Sequence, residues 1–326
     1  MNLLVAGGAG YIGSVFVEAA CDAGHNVTVF DNLGEGHREA IDGRARFIPG
    51  DLGDHAATLA ALRESEAEAV FHFAGFIMVG ESMTDPTKYF RNNVSNSIEL
   101  LDACVQAGVK KMVFSSTAAV FGMPDQVPIK EDAPKQPVNA YGESKLMFET
   151  LLKWYQQIHG LDYVAFRYFN AAGASATHGE AHRIETHIIP NILKVPLGQK
   201  ESCSIFGTDY DTPDGTCIRD YIHVLDLASA HLLALKPGVC GHFNLGNGEG
   251  YSVRQVIDTC QEVTASDIKV VEGERRAGDP PRLIASSAKA INNLGWRPQH
   301  PTLKEIVASA WNWHKSHPEG YGSRTC

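Results

Sequence analysis

A chain of 326 residues with 28 Lys plus Arg against 38 Asp plus Glu has a formal net charge of −10, without the positive footprint of a nucleic-acid binder and ill suited to an anionic membrane surface. Its 44% hydrophobic and 20% charged residues are ordinary globular usage, which excludes wholesale disorder, and no apolar run reaches the ~20 residues of a bilayer span. The length suits about two domains of ~150 residues, or one large core with an appended lobe.

The opening Met-Asn-Leu-Leu-Val-Ala-Gly-Gly lacks a basic n-region, so Asn2–Ala6 reads as a first strand rather than a signal peptide. Further strands are expected at Asn26–Phe30, Ala45–Ile48, Ala69–Phe73, Lys111–Ser115 and Asp162–Arg167. Between them lie helical stretches at Ile12–Ala23, Ala56–Glu64, Pro86–Ala107 and Tyr141–His159. Alternation of this kind predicts an α/β fold: a Rossmann-like, doubly wound parallel sheet with helices on both faces. After Asn170 the pattern turns irregular. Ala171–His187 reads as a long loop, followed by short elements at Ile188–Lys194, Val224–Leu235, His242–Leu245, Ser252–Val263 and Leu303–His314. Gly207–Gly215 and Gly273–Pro281 read as loops, and the whole as a smaller C-terminal lobe over one edge of the sheet. The expected division is residues 1–170 and 171–326, with the two parts interleaved.

The seven cysteines, Cys21, Cys104, Cys203, Cys217, Cys240, Cys260 and Cys326, are odd in number and form no CxxC pair. That argues against a disulfide framework and a thiolate zinc site, and predicts reduced thiols in a cytoplasmic protein. His178, His182 and His187 lie close together, but their spacing suggests no carboxylate-supported site, so no metal is expected.

The first strand runs into Gly7-Gly8-Ala9-Gly10-Tyr11-Ile12-Gly13 and then a helix. Glycines so placed give a tight turn, close backbone approach to a pyrophosphate, and close helix–strand packing. The helix N-terminus then offers free N–H groups to phosphate. Asp31 ends the second strand, 18 residues beyond Gly13. A carboxylate there accepts both ribose hydroxyls of an adenosine and repels a 2′-phosphate, favouring NAD over NADP. Arg38 reads as a solvated loop charge. Asp51-Leu52 either flanks the adenine or, at Asp51, caps the helix that follows.

Thr117 ends the fifth strand, and 24 residues later Tyr141 opens a helix with Lys145 on its face at i+4. None of the other nine tyrosines has Lys four positions on. An ammonium beside a phenol, like a nicotinamide cation, favours the phenolate and yields a general base near neutral pH.

Together these features resemble the extended short-chain dehydrogenase/reductase family, and within it the UDP-sugar 4-epimerases. The likeness extends through Phe73-Ala74-Gly75, Gly80-Glu81-Ser82, Asn92-Asn93-Val94, Arg167-Tyr168-Phe169-Asn170, Asp214-Gly215-Thr216, Arg219-Asp220-Tyr221-Ile222-His223-Val224, Asn244-Leu245-Gly246 and Arg275-Arg276-Ala277-Gly278-Asp279. The resemblance implies NAD-dependent interconversion of UDP-glucose and UDP-galactose, or of another UDP-sugar pair such as UDP-arabinose/xylose or N-acetylhexosamines. Hydride would leave the sugar C4, the 4-keto sugar would rotate, and the hydride would return to the opposite face. Tyr141 would be the base, Lys145 its electrostatic partner and Thr117 the hydroxyl relay. Gly7, Gly10, Tyr11, Ile12, Gly13, Asp31, Asn32, Asp51, Leu52, Phe73, Ala74, Gly75, Asn92 and Tyr168 would hold NAD together with Tyr141 and Lys145. Asn170, His187, Phe206, Arg219, Arg276 and Asp279 would hold the UDP-sugar, with Thr117 and Tyr141 at the sugar.

The chain departs from many members at Ile77, where Lys is common, and at Thr186-His187, where some have Asn-Asn. Leu283 stands at a position that gates the sugar pocket. Dehydratases of this fold place Asp-Glu directly after the Thr, where this chain has Ala118 and Ala119. The rivals are such a dehydratase or decarboxylase and a non-catalytic NAD-binding regulator, which would need the cradle but not the base. The family's usual homodimer would draw on the Pro86–Ala107 and Tyr141–His159 helices.

Overall fold

Apolar strands without alternation need cover on both faces, and β1 (Asn2–Ala6) shows how this is met. Leu3 and Val5 enter one apolar cluster with Phe16, Phe71 and Phe166, while Leu4 and Ala6 enter another with Val70, Leu100 and Phe114. The computed structural model describes residues 1–276 and 279–322; Cys326 and the Ala277-Gly278 pair lie outside the described residues.

In chain order the first part runs α1 (Tyr11–Asp22), β2 (Asn26–Asp31), β3 (Arg46–Pro49), α2 (His55–Glu64), β4 (Ala69–His72), α3 (Val79–Thr84), α4 (Pro86–Phe90), α5 (Asn96–Ala107), β5 (Lys111–Thr117), α6 (Ala140–His159) and β6 (Asp162–Tyr168). The second part holds β7 (Asn170–Ala172), α7 (Ile188–Leu193), β8 (Cys203–Phe206), β9 (Ile218–Arg219), β10 (Tyr221–His223), α8 (Val224–Leu233), β11 (Gly241–Leu245), β12 (Tyr251–Ser252), α9 (Val253–Thr264), β13 (Val270–Gly273), β14 (Arg282–Leu283) and α10 (Leu303–Ser316).

The main sheet has seven parallel strands in the order β11-β6-β5-β4-β1-β2-β3. This is the doubly wound α/β architecture expected. Its strand order turns between β1 and β4, so a crevice opens at their carboxyl ends. Helices α1 and α8 cover one face, and α2, α5 and α6 the other. The seventh strand comes from the second half of the chain: β11 lies beside β6, with Leu245 opposite Tyr168. A separate apolar cluster joins α7, α9, α10 and β8. Small sheets β10-β7, β12-β9-β14 and β13-β8 complete that part.

The helix expected over Pro86–Ala107 is broken. Asp85 caps α4, accepting from the Lys88 N–H at 3.1 Å, and a wide turn of π type covers Arg91–Ser95 before α5. Asn93 lies in that turn and spends its side chain elsewhere: it accepts from the Phe76 N–H at 2.9 Å and donates to the Phe76 carbonyl and to Ser144 Oγ of α6. Such turns recur at functional sites.

Candidate active site

The glycine turn separates what the protein needs for itself from what it leaves open. A Cβ on Gly7 would lie 2.4 Å from the Ala74 nitrogen, and Gly7 has φ +82°. A Cβ on Gly13 would lie 2.2 Å from the Gly7 carbonyl oxygen. Both glycines are required by packing. Gly10 has an ordinary extended backbone, φ −83°, and its Cβ would meet only the Gly7 carbonyl oxygen, at 3.4 Å. The space that Gly10 keeps clear is therefore outside the protein, at the start of α1, where a helix N-terminus offers free backbone N–H groups suited to an anion. Tyr11 and Ile12 begin that helix; the Tyr11 hydroxyl donates to the Gly173 carbonyl at 2.6 Å.

Asp31 ends β2 beside the turn and accepts from the Ala9 and Leu33 N–H groups at 3.0 and 2.8 Å. Burial pushes its carboxyl up, and those two donors pull it back. The Asn32 amide donates to Asp51 Oδ2 at 2.7 Å, so the ends of β2 and β3 present one polar rim, with half-buried Leu52 next to it. Asp51 does not cap the following helix. Its Oδ1 accepts from Gly53, while Asp54 caps α2 through the Ala57 N–H. Arg38 is exposed, its guanidinium 4.8 Å above the Phe47 ring. Phe73, Ala74 and Gly75 leave β4 on the other side of the crevice, all half-buried.

Thr117 closes β5 and Tyr141 opens α6. Their approach depends on Gly142, whose Cβ would lie 2.7 Å from the Ala119 carbonyl oxygen. Asn139 caps α6 by accepting from the Gly142 N–H at 2.7 Å. Burial weakens the acidity of the Tyr141 phenol, and the neighbouring Thr117 hydroxyl partly restores it. Lys145 is buried. Its ammonium donates to the Ser115 carbonyl at 3.0 Å and lies 6.0 Å from the Tyr141 ring centre. Burial lowers it to about 8 from the usual 10.5, so it is mostly charged at neutral pH. A Cβ on Gly75 would sit 3.3 Å from that ammonium, which joins this group to the cradle. Ser115 Oγ and the Tyr168 hydroxyl share a hydrogen bond beneath it. Asn92 bonds Asn93, next to Ser144.

Sequence reading passed over three supports. Asn93 ties the Gly75 loop to α6, as described above. Ser115 anchors Lys145 through its carbonyl. Buried Glu149 takes Ser116 at 2.6 Å and both arms of Arg167 at 2.8 and 2.6 Å, which fixes the strand end before Thr117. Glu149 lies eight residues beyond Tyr141 on α6, a helical spacing that would have revealed it.

The proposed sugar-nucleotide residues gather in pairs. Arg276 lies with its guanidinium 4.2 Å above the exposed Phe206 ring. Arg219 donates to the Ile218 and Pro280 carbonyls at 2.9 and 2.8 Å and stands 3.5 Å from Asp279. Asn170 begins β7, paired with Tyr221, two residues after Arg219. Leu283 pairs with Arg219 and packs against the Val120–Phe121–Ile129 cluster that follows Thr117. Ile77 is exposed.

His187 brings a correction. The histidine loop was expected to lack carboxylate support, yet His187 Nδ1 lies 2.8 Å from Glu180 Oε1 and 3.0 Å from Glu185 Oε1, and His182 Nε2 lies 3.2 Å from Glu180 Oε1. Both glutamates sit among the histidines in the sequence, and the turns of the loop bring them inward. Burial opposes the His187 charge, but the two carboxylates hold it up to about 10.

A family model described as "NAD dependent epimerase/dehydratase family" matches residues 3–246. The chain belongs to this family. It is 49% identical to a UDP-glucose 4-epimerase of Lacticaseibacillus casei over 99% of this chain and 100% of that protein. It is 50% identical to one of Corynebacterium glutamicum over 95% of each. Among solved structures, a UDP-glucose 4-epimerase at 49% identity superposes with a TM-score of 0.96, covering 98% of this chain and 99% of that one. Another, from Bifidobacterium longum in complex with NAD+ and UDP, is 35% identical with a TM-score of 0.93, covering 98% and 100%. Among the described residues no helix is long and apolar enough to cross a membrane.

Proposed function

We propose that this chain is an NAD-dependent isomerase that interconverts UDP-glucose and UDP-galactose at C4. The observation that carries this reading is the set of Thr117, Tyr141 and Lys145 at the end of β5, followed only by the methyl side chains of Ala118 and Ala119. The crevice fits the cofactor: Gly10 keeps its outer side clear, and Asp31 faces the same turn as a carboxylate acceptor. Gly7, Gly10, Tyr11, Ile12, Gly13, Asp31, Asn32, Asp51, Leu52, Phe73, Ala74, Gly75, Asn92 and Tyr168 would line it. When bound, NAD+ supplies hydride acceptance at the sugar C4 and its return.

Tyr141, as phenolate, takes the proton of the C4 hydroxyl, relayed through Thr117, and gives it back after the ketose has turned. Lys145 supports that phenolate by its charge. Arg219 and Arg276 offer planar donor forks to the diphosphate, Phe206 its ring to the uracil and Asp279 its carboxylate to the ribose, with Asn170 nearby, while His187 turns its Nδ1 to Glu180 and Glu185 instead. Loss of the C6 hydroxyl needs an acid and a base that Ala118 and Ala119 cannot provide, so the ketose survives to be reduced. Leu283 is of middling size and should admit hexoses more readily than N-acetylhexosamines. We also read the protein as a cytoplasmic homodimer, joined through the exposed face of α6.

The purified chain supplied with UDP-galactose should form UDP-glucose, release NAD and not NADP on denaturation, and turn over UDP-N-acetylgalactosamine poorly. Tyr141→Phe should lower turnover by roughly 10²–10⁴-fold while the fold and NAD content persist. A 4-keto-6-deoxy product, or near-normal turnover by Tyr141→Phe, would overturn the reading.

A further inference from the structure

The structure assigns a divalent metal site to Glu180, His182, Glu185 and His187, with Zn2+ the ion that its donors fit, on the loop between β7 and α7. One donor atom from each residue falls within 4.8 Å of all the others. The close separations are 3.2 Å (Glu180 to His182), 2.8 Å (Glu180 to His187) and 3.0 Å (Glu185 to His187). Tetrahedral zinc with bonds near 2.0–2.1 Å needs ligand atoms ~3.3 Å apart. Two imidazole nitrogens and two carboxylate oxygens form an N2O2 set, and the two negative charges neutralise the ion.

An independent observation comes from Glu180 itself. Its side chain is 5% exposed, and Oε1, although two ring nitrogens approach it, is buried without a hydrogen bond. His187 Nδ1 and Glu185 Oε1 share a hydrogen bond, but Glu180 Oε1, between the two rings, lies off the hydrogen-bond direction of both and is the atom left to a shared centre.

All four ligands come from eight consecutive residues, so the site forms without any movement between distant parts of the fold. The loop is already pinned at its edges. His37 bonds the Ala181 carbonyl at 2.7 Å, Arg183 donates to the Gly34 carbonyl at 2.7 Å, and the Tyr11 ring stands edge-on to His182. An ion there would fasten the loop against the glycine turn and the β2 end, directly beside the cofactor crevice. Four protein ligands fill a tetrahedron and leave no open position, so the role is structural rather than catalytic.

The test uses the full chain without an affinity tag, since a polyhistidine tag would itself bind metal. After exposure to Zn2+ and dialysis against metal-free buffer, elemental analysis should find about one zinc per chain. Removing it with EDTA should lower the melting temperature, and Zn2+ should restore it. Co2+ in its place should give the visible absorption of a tetrahedral site. Glu180→Gln and His182→Gln should each lose the bound zinc and the cobalt spectrum, while His159→Gln, on the exposed end of α6, should keep both. If either loop variant proves unfolded by circular dichroism, the wild-type cobalt spectrum and zinc content decide alone. No retained zinc in the wild type, or retention by folded Glu180→Gln and His182→Gln, would leave the cluster as an ion-pair network and overturn the assignment. None of these readouts depends on epimerase turnover.

Discussion

The glycine turn makes a sharp distinction at the level of single atoms. Gly13 and Gly7 are glycine because a Cβ would strike the backbone at 2.2 and 2.4 Å, whereas Gly10 meets nothing nearer than 3.4 Å. Gly10→Ala should therefore leave the stability of the cofactor-free chain unchanged or raise it by the ~0.4–1 kcal/mol that comes from lower unfolded-chain entropy, seen as an equal or slightly higher melting temperature. The same variant should bind NAD far more weakly, because the methyl occupies the ground of the pyrophosphate. Gly13→Ala should instead destabilise the fold outright. Thermal melts with and without NAD separate the two cases; equal NAD binding by Gly10→Ala would remove the cradle from the argument. Tyr141 and Lys145 form the complementary pair, with burial raising the one and lowering the other, each toward the neutral form. That electrostatic cost lies where chemistry needs it.

Among the elements, α6 serves two faces. Its inner face carries Lys145, Phe148, Glu149 and Leu152 to the sheet. Its outer face leaves Met147, Trp154 and Ile158 exposed by 43%, 57% and 67%, at spacings of seven and four residues that align them on one stripe. Helix α3 packs against α6 and leaves Val79 and Met83 exposed as well. Exposed apolar groups aligned in this way are what the proposed contact between two copies would cover. By light scattering the wild type should run as a dimer and the double variant Trp154→Glu, Ile158→Glu as a folded monomer. A monomeric wild type, or a dimeric variant, would place the contact elsewhere. The outer stripe follows from helical periodicity alone. The break at Arg91–Ser95 does not, because it arises where Asn93 bonds Phe76 and Ser144, residues from other elements.

The whole molecule carries several imidazoles held neutral by burial. His72 is lowered to about 3, and His223, His231 and His242 to about 4, from the usual 6.5. His231 lies among the rings of Phe16, Phe73 and Phe166, its Nε2 without a partner. The unfolded chain takes up these protons below pH 6.5, but the folded chain does so only near pH 4. The stability present above pH 6.5 is thus lost as the pH falls. Asp220 opposes this: burial raises its carboxyl to about 6, so the folded chain takes that proton first. Four histidines against one carboxyl leave the unfolded chain with the greater proton uptake, so stability falls most steeply near pH 5, between the folded and unfolded values of the histidines. The urea midpoint should fall steeply from pH 7 to pH 5, and His231→Phe should flatten the fall. A midpoint independent of pH over that range would show these histidines to be accessible when folded.

Much of the fold was legible because it is local. The β1 pattern of Leu3, Leu4 and Val5 demands cover on both faces, the glycine turn follows at once, and Tyr141 and Lys145 share a helix face by spacing alone. These features depend on neighbours in the chain, and periodicity reports neighbours. The Thr117, Ser115 and Gly75 partners of that pair needed the sheet, which brings the ends of β4 and β5 side by side. The second half of the chain was less legible because its contacts are distant. Strand β11 reaches the main sheet only by pairing with β6, Arg276 finds Phe206 across two loops, and Leu283 joins the cluster after Thr117. The histidine loop was misread although its residues are adjacent: Glu180 and Glu185 became partners of His187 only when the turns of the loop and burial against α1 aimed them inward. Sequence alone determined the parallel α/β class and was enough to single out the glycine turn and the Tyr141–Lys145 pair as candidates for the cradle and the base. The tertiary structure decided which side chains meet over long separations, because loop paths and burial, unlike helix and strand periods, leave no repeating mark in the order of residues.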